Sequence, residues 1–196
     1  MAAESLHPAF MHKRYLFRRK VFKLFGGAFH VYDEYGTPAL YSAQKAFKLR
    51  EDIRIYADER MDEELLTIKT PQIFDVAATY HIEDPTCGEL IGSIKRRAFR
   101  SIFRDEWSFY SSDGVPLGRL TELSAVAALM SRLIKLIPQS YVVQSGAGEN
   151  IAVIKQHFNP FVLKYSMTIP ADEPPIDRRL ILAAGILLAA IEKRQE

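Results

Sequence analysis

Five stretches of the chain repeat one arrangement of apolar and polar positions. They are "FHVYDEYGTPALYSAQK" from Phe29, "IRIYADERMDEELLTIK" from Ile53, "YHIEDPTCGELIGSIKR" from Tyr80, "WSFYSSDGVPLGRLTE" from Trp107 and "YVVQSGAGENIAVIKQH" from Tyr141. Each opens on an alternating aromatic or β-branched run, passes through Asp, Gly, Ser or Pro, and returns through a second apolar run. Alternation at period two around such a turn predicts a β-hairpin. Gly36, Gly88, Gly114 and Gly146 are the residues expected to supply the positive φ of the turns. The copy from Ile53 has no glycine and fits least well.

The copies start 24, 27, 27 and 34 residues apart. That is too close for the four-stranded blades of a propeller, which need about 40 residues. Further strand-like pieces lie between them: "KAFKLR", "QIFDVAATY", "RAFRSIFRDEW" and "PFVLKYSMTI". The pattern predicts a mainly β chain in which a long antiparallel meander curls and closes, since closure removes exposed edges. A closed barrel is the expected architecture, with a sandwich as the alternative.

Two segments depart from period two. From Thr121 to Ile137 the residues Leu123, Val126, Ala127, Met130, Leu133, Ile134 and Ile137 recur at helical spacing, and Pro138 ends the run. This predicts an amphipathic helix near 121–137, whose polar side carries Arg132 and Lys135 and which suits packing on the barrel wall, with a membrane surface as the alternative.

The second is "DRRLILAAGILLAAIEKRQE", with twelve consecutive apolar residues from Leu180 to Ile191. As a helix that run covers about 18 Å at 1.5 Å per residue. A membrane span needs about 20 apolar residues to cross roughly 30 Å. Charged residues bracket it on both sides, so it is too short to span. Apolar all round, it must nevertheless be buried; a slim apolar rod beside a closed sheet suits the barrel's centre, with a lipid-inserted tail and a partner-binding helix as the alternatives. Asp177 is the expected N-cap. Arg178 and Arg179 stand at the unfavourable end of the helix dipole, and Asp172 or Glu173 is expected to pair with them. Residues 14–192 thus read as one domain, preceded by a flexible arm, 1–13.

Composition narrows the function. The chain has 196 residues, a net charge of +2 and one cysteine, Cys87. It can form no internal disulfide, which fits a reducing, cytoplasmic setting. The first residues lack the apolar core of a secretory signal. The small net charge hides segregation. Residues 1–50 carry nine Lys/Arg against three Asp/Glu, 51–90 carry three against eleven, and 91–104 carry five basic residues and no acid.

No catalytic or metal constellation emerges. The five histidines, His7, His12, His30, His81 and His157, lack metal-ligand spacing. "GAGEN" reads as a hairpin turn because no helix follows it. Cys87 sits in a Pro-Thr-Cys-Gly turn with no activating base in view. The acidic stretch "DERMDEELL" lacks calcium-loop spacing and reads as a solvated turn. The chain is expected to be no enzyme and to need no cofactor.

Basic clusters interleaved with aromatics are the better lead. "KRRAFRSIFR" presents Lys95, Arg96, Arg97, Arg100 and Arg104, and "KRYLFRRKVFK" presents Arg14, Arg18, Arg19, Lys20 and Lys23. Arginine forks suit phosphate, and each basic residue near an anionic bilayer adds about 1 kcal/mol. On a strand only alternate residues share a face, so part of each cluster points together. A plain solvated face remains the simplest reading of these residues. The residues Lys95, Arg96, Arg97, Arg100 and Arg104 are the expected anionic-lipid site. Nucleic acid is disfavoured by the near-neutral net charge.

Hairpins in series before a terminal all-apolar helix resemble the LURP-one-related and phospholipid scramblase family, within the Tubby C-terminal-like superfamily. "FHVYDEYG", "SIKRRAF", "LIPQSYVV", "QHFNPFVLKYSM" and "DRRLILAAGILLAAIE" look like the prokaryotic-type branch of LURP-one-related proteins. The similarity runs over about residues 14–192, and the order of the motifs carries it. It implies a twelve-stranded barrel around a hydrophobic C-terminal helix. Scramblase relatives imply calcium-dependent lipid movement, Tubby relatives phosphoinositide binding, and plant relatives a role in defence. The chain lacks the scramblase cysteine cluster, Pro-rich amino-terminal tail and calcium-loop acids. The resulting expectation is a scramblase-like β-barrel module that binds acidic phospholipids or phosphoinositides, cytoplasmic or peripheral to a membrane. A protein-interaction adaptor indifferent to lipid is the alternative, and scrambling ranks behind both.

Overall fold

The computed structural model describes residues 6–20, 28–44, 52–70, 77–98, 105–123, 138–157, 159 and 162–191. Twelve strands form one closed antiparallel barrel. They are β1 (Arg14–Lys20), β2 (Ala28–Tyr32), β3 (Pro38–Gln44), β4 (Asp52–Tyr56), β5 (Glu64–Lys69) and β6 (Ala77–Glu83). The second half comprises β7 (Leu90–Ala98), β8 (Asp105–Ser111), β9 (Pro116–Glu122), β10 (Ser140–Ser145), β11 (Asn150–His157) and β12 (Val162–Thr168). Each strand pairs with the next in sequence, and β12 returns to β1, with Arg14 opposite Thr168 and Lys20 opposite Val162. Among the described strands no edge is left to template aggregation.

The five repeated stretches are the hairpins β2–β3, β4–β5, β6–β7, β8–β9 and β10–β11. One chemistry builds their turns. Asp33 Oδ1 accepts from the N–H of Thr37 at 2.8 Å, Asp58 from Arg60 at 2.9 Å and Asp84 from Thr86 at 2.9 Å. Ser111 and Ser145 hydroxyls take the same part, toward the N–H of Val115 and Glu149. Such side chains stabilise turns by imitating backbone acceptors. Each hairpin also carries a register shift near the turn, which tightens local twist.

The residue needing positive φ follows the Asp or Ser by three positions in four of these turns. Gly36 and Gly114 stand there as expected, but in the last hairpin it is Gly148. Gly146, the expected residue, instead sends its N–H across to the Leu117 carbonyl at 2.8 Å. In the glycine-free copy Met61 occupies that position, with φ 61°.

Alternate residues of the strands face inward and are buried: Tyr15 and Phe17 on β1, Phe29 and Val31 on β2, Ile53 and Ile55 on β4, Tyr165 and Met167 on β12. The helix α1 (Arg178–Ile191) adds an unbroken buried run from Leu180 to Ala190. It packs against β1 and β12, and against β7 halfway round the ring. Glycines stand where approach is closest. A Cβ on Gly92 would lie 3.0 Å from Leu180 Cδ1, and one on Gly118 would lie 2.9 Å from Ile176 Cδ1.

Asp177 caps α1, accepting the Arg179 N–H at 2.8 Å. The expected pairing of Arg178 and Arg179 with Asp172 or Glu173 is replaced by other partners. Arg178, 4% exposed, donates from its guanidinium to the carbonyls of Phe10 at 2.6 Å and Ala171 at 2.7 Å, to that of His12, and to the backbone carbonyl of Asp172 at 3.4 Å rather than to its carboxylate. Arg179 pairs with Asp177 at 2.8 Å and Asp84 at 3.1 Å. Burial works against its charge, but the Asp177 hydrogen bond and the charges of Asp177, Asp84 and Glu89 raise its pKa. Asp172 pairs with Lys13 instead.

From Leu6 on, the segment before β1 packs on the barrel: a 3-10 turn at Pro8–Phe10 buries Ala9 and Phe10 in the core, and Arg178 donates to the Phe10 and His12 carbonyls. Apolar side chains at 9 and 10 are better buried than solvated. The helix expected at 121–137 falls mostly outside the described residues, and its first two positions, Thr121 and Glu122, belong to β9. Among the described residues α1 is the single α-helix, and none is long and apolar enough to cross a membrane.

Candidate functional site

Strand parity divides both basic clusters. On β7, Lys95 is exposed, with its ammonium 4.3 Å from the Tyr110 ring centre. Arg96 is buried at 3% exposure, its guanidinium 5.5 Å from the Trp107 ring centre. Neighbours on a strand face opposite ways, so Arg96 contributes nothing to an outer surface. Arg97 lies in register opposite Ala77 and Glu106. Arg100 and Arg104 lie outside the described residues. The five expected residues are therefore not brought together on one described face.

The earlier cluster divides the same way and gains partners. Arg19 faces inward, where it donates to the carbonyls of Ala189 at 3.2 Å and Ala190 at 3.4 Å, at the C-terminal end of α1. A cation there suits the negative pole of the helix. Arg14 and Arg18 are exposed on the outer wall. Lys20 ends β1, and Lys23 lies outside the described residues.

Cross-strand register then assembles a row that crosses four strands. Arg18 stands opposite Lys164 of β12 and opposite His30 of β2. Lys164 stands opposite His157 of β11. Opposed residues of an antiparallel pair share a face with Cβ atoms about 5 Å apart. The row His157–Lys164–Arg18–His30 thus runs across the outer wall, and beyond His30 come Tyr41 and Tyr56. Lys155, exposed and two residues before His157, borders it.

Among the described residues no carboxylate pairs with Arg18, Lys164 or Lys155. Elsewhere on the wall cations are neutralised: Arg54 meets Glu64 at 2.8 Å and Asp52 at 3.3 Å, and Lys69 meets Glu83 at 2.5 Å. Those two carboxylates and their hydrogen bonds raise the Arg54 pKa despite its desolvation. His30 is engaged by Glu59, and the His157 ring nitrogen Nε2 lies 2.8 Å from Ser166 Oγ. The other histidine pairs lie apart, His7 with Glu63 and His12 with Glu34.

No group of three or more His, Cys, Asp or Glu side chains among the described residues is arranged to hold a metal ion. Cys87 is exposed in its turn. Period-two reading of "RYLFR" was enough to put Arg14 and Arg18 on one face. The pairing of β1 with β12, which brings in Lys164 and His157, had no local signal.

A family model described as LURP-one-related matches residues 13–189. No curated protein and no solved structure matches the chain.

Proposed function

The chain belongs to the LURP-one-related family, and from that premise we propose that its barrel is a non-enzymatic, helix-filled module whose outer wall binds anionic phospholipid. Burial of α1 from Leu180 to Ala190, against strands from opposite sides of the ring, supports a helix that occupies the lumen. With its interior taken up, such a barrel meets ligands on its outside. The observation that carries the reading is the cationic row of Arg18, Lys164 and His157, with Lys155 beside it. Lys95, exposed on β7, is a second basic contact on this reading, and a cytoplasmic protein meeting a membrane surface is its natural setting.

Vesicle flotation tests it. Binding is expected to phosphatidylglycerol vesicles and not to phosphatidylcholine, weakening with salt. The double variant Arg18→Ala/Lys164→Ala is expected to lose about 2 kcal/mol of attraction, or roughly thirtyfold in partitioning. Equal binding to neutral vesicles, or none to either, would overturn the reading.

The second reading, an adaptor for a protein partner, rests on apolar side chains at hairpin tips: Tyr35 is 84% exposed, and Met61 and Val115 are also exposed. Capture of one stoichiometric partner without lipid, lost in Tyr35→Ser, would favour it. Scrambling would require α1 to leave its buried position, and a reconstituted assay with and without calcium decides that.

A further inference from the structure

The middle of the cationic row has a feature that general attraction to a membrane does not require. Arg18 and Lys164 are directly opposed like charges, an arrangement that destabilises a sheet. No described carboxylate offsets them, although the same sheet offsets Arg54 and Lys69. His157 stands opposite Lys164 on its other side, and its ring is fixed by Ser166. The outer pair is thus a fork donor and a point donor on adjacent strands, with an imidazole one strand further. Adjacent strands lie about 4.8 Å apart, so both long side chains reach one anion between them.

The charge count selects the anion. A phosphate diester carries one negative charge and leaves one of the two permanent cations uncompensated. A phosphate monoester carries about −1.5 to −2 near neutral pH and has three terminal acceptor oxygens. Arginine matches two of those oxygens in a bidentate fork, and lysine takes the third as a compact charge. We propose that Arg18 and Lys164, assisted by His157, form a binding site for a phosphate monoester, the chemistry of a phosphatidic acid headgroup or of a free phosphomonoester. The proposal rests on the reading of the outer wall as an anion-binding face and names the ligand class of that face.

The test uses the full chain and four ligands. Vesicles of phosphatidylcholine containing phosphatidic acid or phosphatidylglycerol are matched in zeta potential and compared by sedimentation. At least tenfold tighter binding to phosphatidic acid is expected. Glycerol 3-phosphate is expected to compete and dimethyl phosphate is not. Arg18→Met and Lys164→Met are each expected to remove the preference, while Lys69→Met, at a wall cation already paired with Glu83, keeps it; all three changed side chains lie on the outer wall, and unchanged thermal melting verifies the fold. Equal binding to the two matched vesicles overturns the monoester site and leaves the surface reading standing. If neither vesicle binds, the surface reading fails, and amide chemical shifts decide the rest. Shifts at Arg18 and Lys164 on titrating glycerol 3-phosphate support a free phosphomonoester as ligand, and their absence overturns the site.

Discussion

Gly185 of α1 lies against the ring of Phe17 on β1: a Cβ on the glycine would stand 2.8 Å from Phe17 Cζ and 2.6 Å from Met167 Cε. A helix interior normally disfavours glycine by about 1 kcal/mol relative to alanine. Here the missing methyl is what lets the helix reach the wall. Gly185→Ala is therefore expected to destabilise by about 1–2 kcal/mol, overpacking outweighing the propensity gain. Adding Phe17→Leu should recover part of the loss. Urea denaturation of the two single variants and the double checks this; additive losses would contradict it.

Arg178 joins the start of α1 to the carbonyls of Phe10, His12 and Ala171. Arg178→Met leaves the buried Phe10 carbonyl and the part-buried carbonyls of His12 and Ala171 without their donor, at an expected cost of about 3–5 kcal/mol. Arg178→Lys keeps the charge but not the planar fork, and is expected to lose more than half as much. A lysine variant as stable as the parent in chemical denaturation would show that charge alone suffices.

Burial pushes the Tyr15 phenol up to about 12, against the lowering effect of the Arg178 hydrogen bond and charge. Its pKa in the unfolded chain is near the ordinary tyrosine value of 10.0. The unfolded chain therefore loses this proton first as pH rises. The stability the group contributes is complete below about pH 10 and is lost progressively toward pH 12, up to about 2–3 kcal/mol. Tyr15→Phe should flatten the stability profile over that window relative to the parent. Parallel profiles would rule the mechanism out.

Met61 holds φ at 61° in an exposed turn, a conformation that is costly for a residue with a Cβ. Met61→Gly is expected to stabilise the protein by about 0.5–1 kcal/mol. The corresponding change at Val115, which is also exposed but has no positive φ, should not. Thermal melting of both variants distinguishes relief of strain from removal of an exposed apolar side chain.

The hairpins and the buried terminal helix were readable because both depend on local pattern. Alternation selects the inward face, Asp or Ser followed by a left-handed residue closes each turn, and an all-apolar run has no solvated face. The position needing positive φ was less secure: "SGAGE" offers two glycines, and only the cross-strand bond from Gly146 to Leu117 assigns Gly148 to the turn. Lys95 and Arg96 show the limit more sharply. They are adjacent and chemically alike, yet one is exposed and the other lies under Trp107, because period two separates what composition groups.

Local order along the chain was sufficient for a closed meander and for a rod that must be buried, since short-range periodicity and side-chain chemistry dictate both. Ring closure was needed to bring residue 18 beside residue 164, and burial of the rod was needed to give Arg19 and Arg178 their carbonyl partners. Apart from the bonds of Arg178 to Ala171 and Asp172, those contacts join positions about 150 residues or more apart. Such contacts leave no periodic trace, because the energy that selects them arises only when the sheet has closed and water has left its interior.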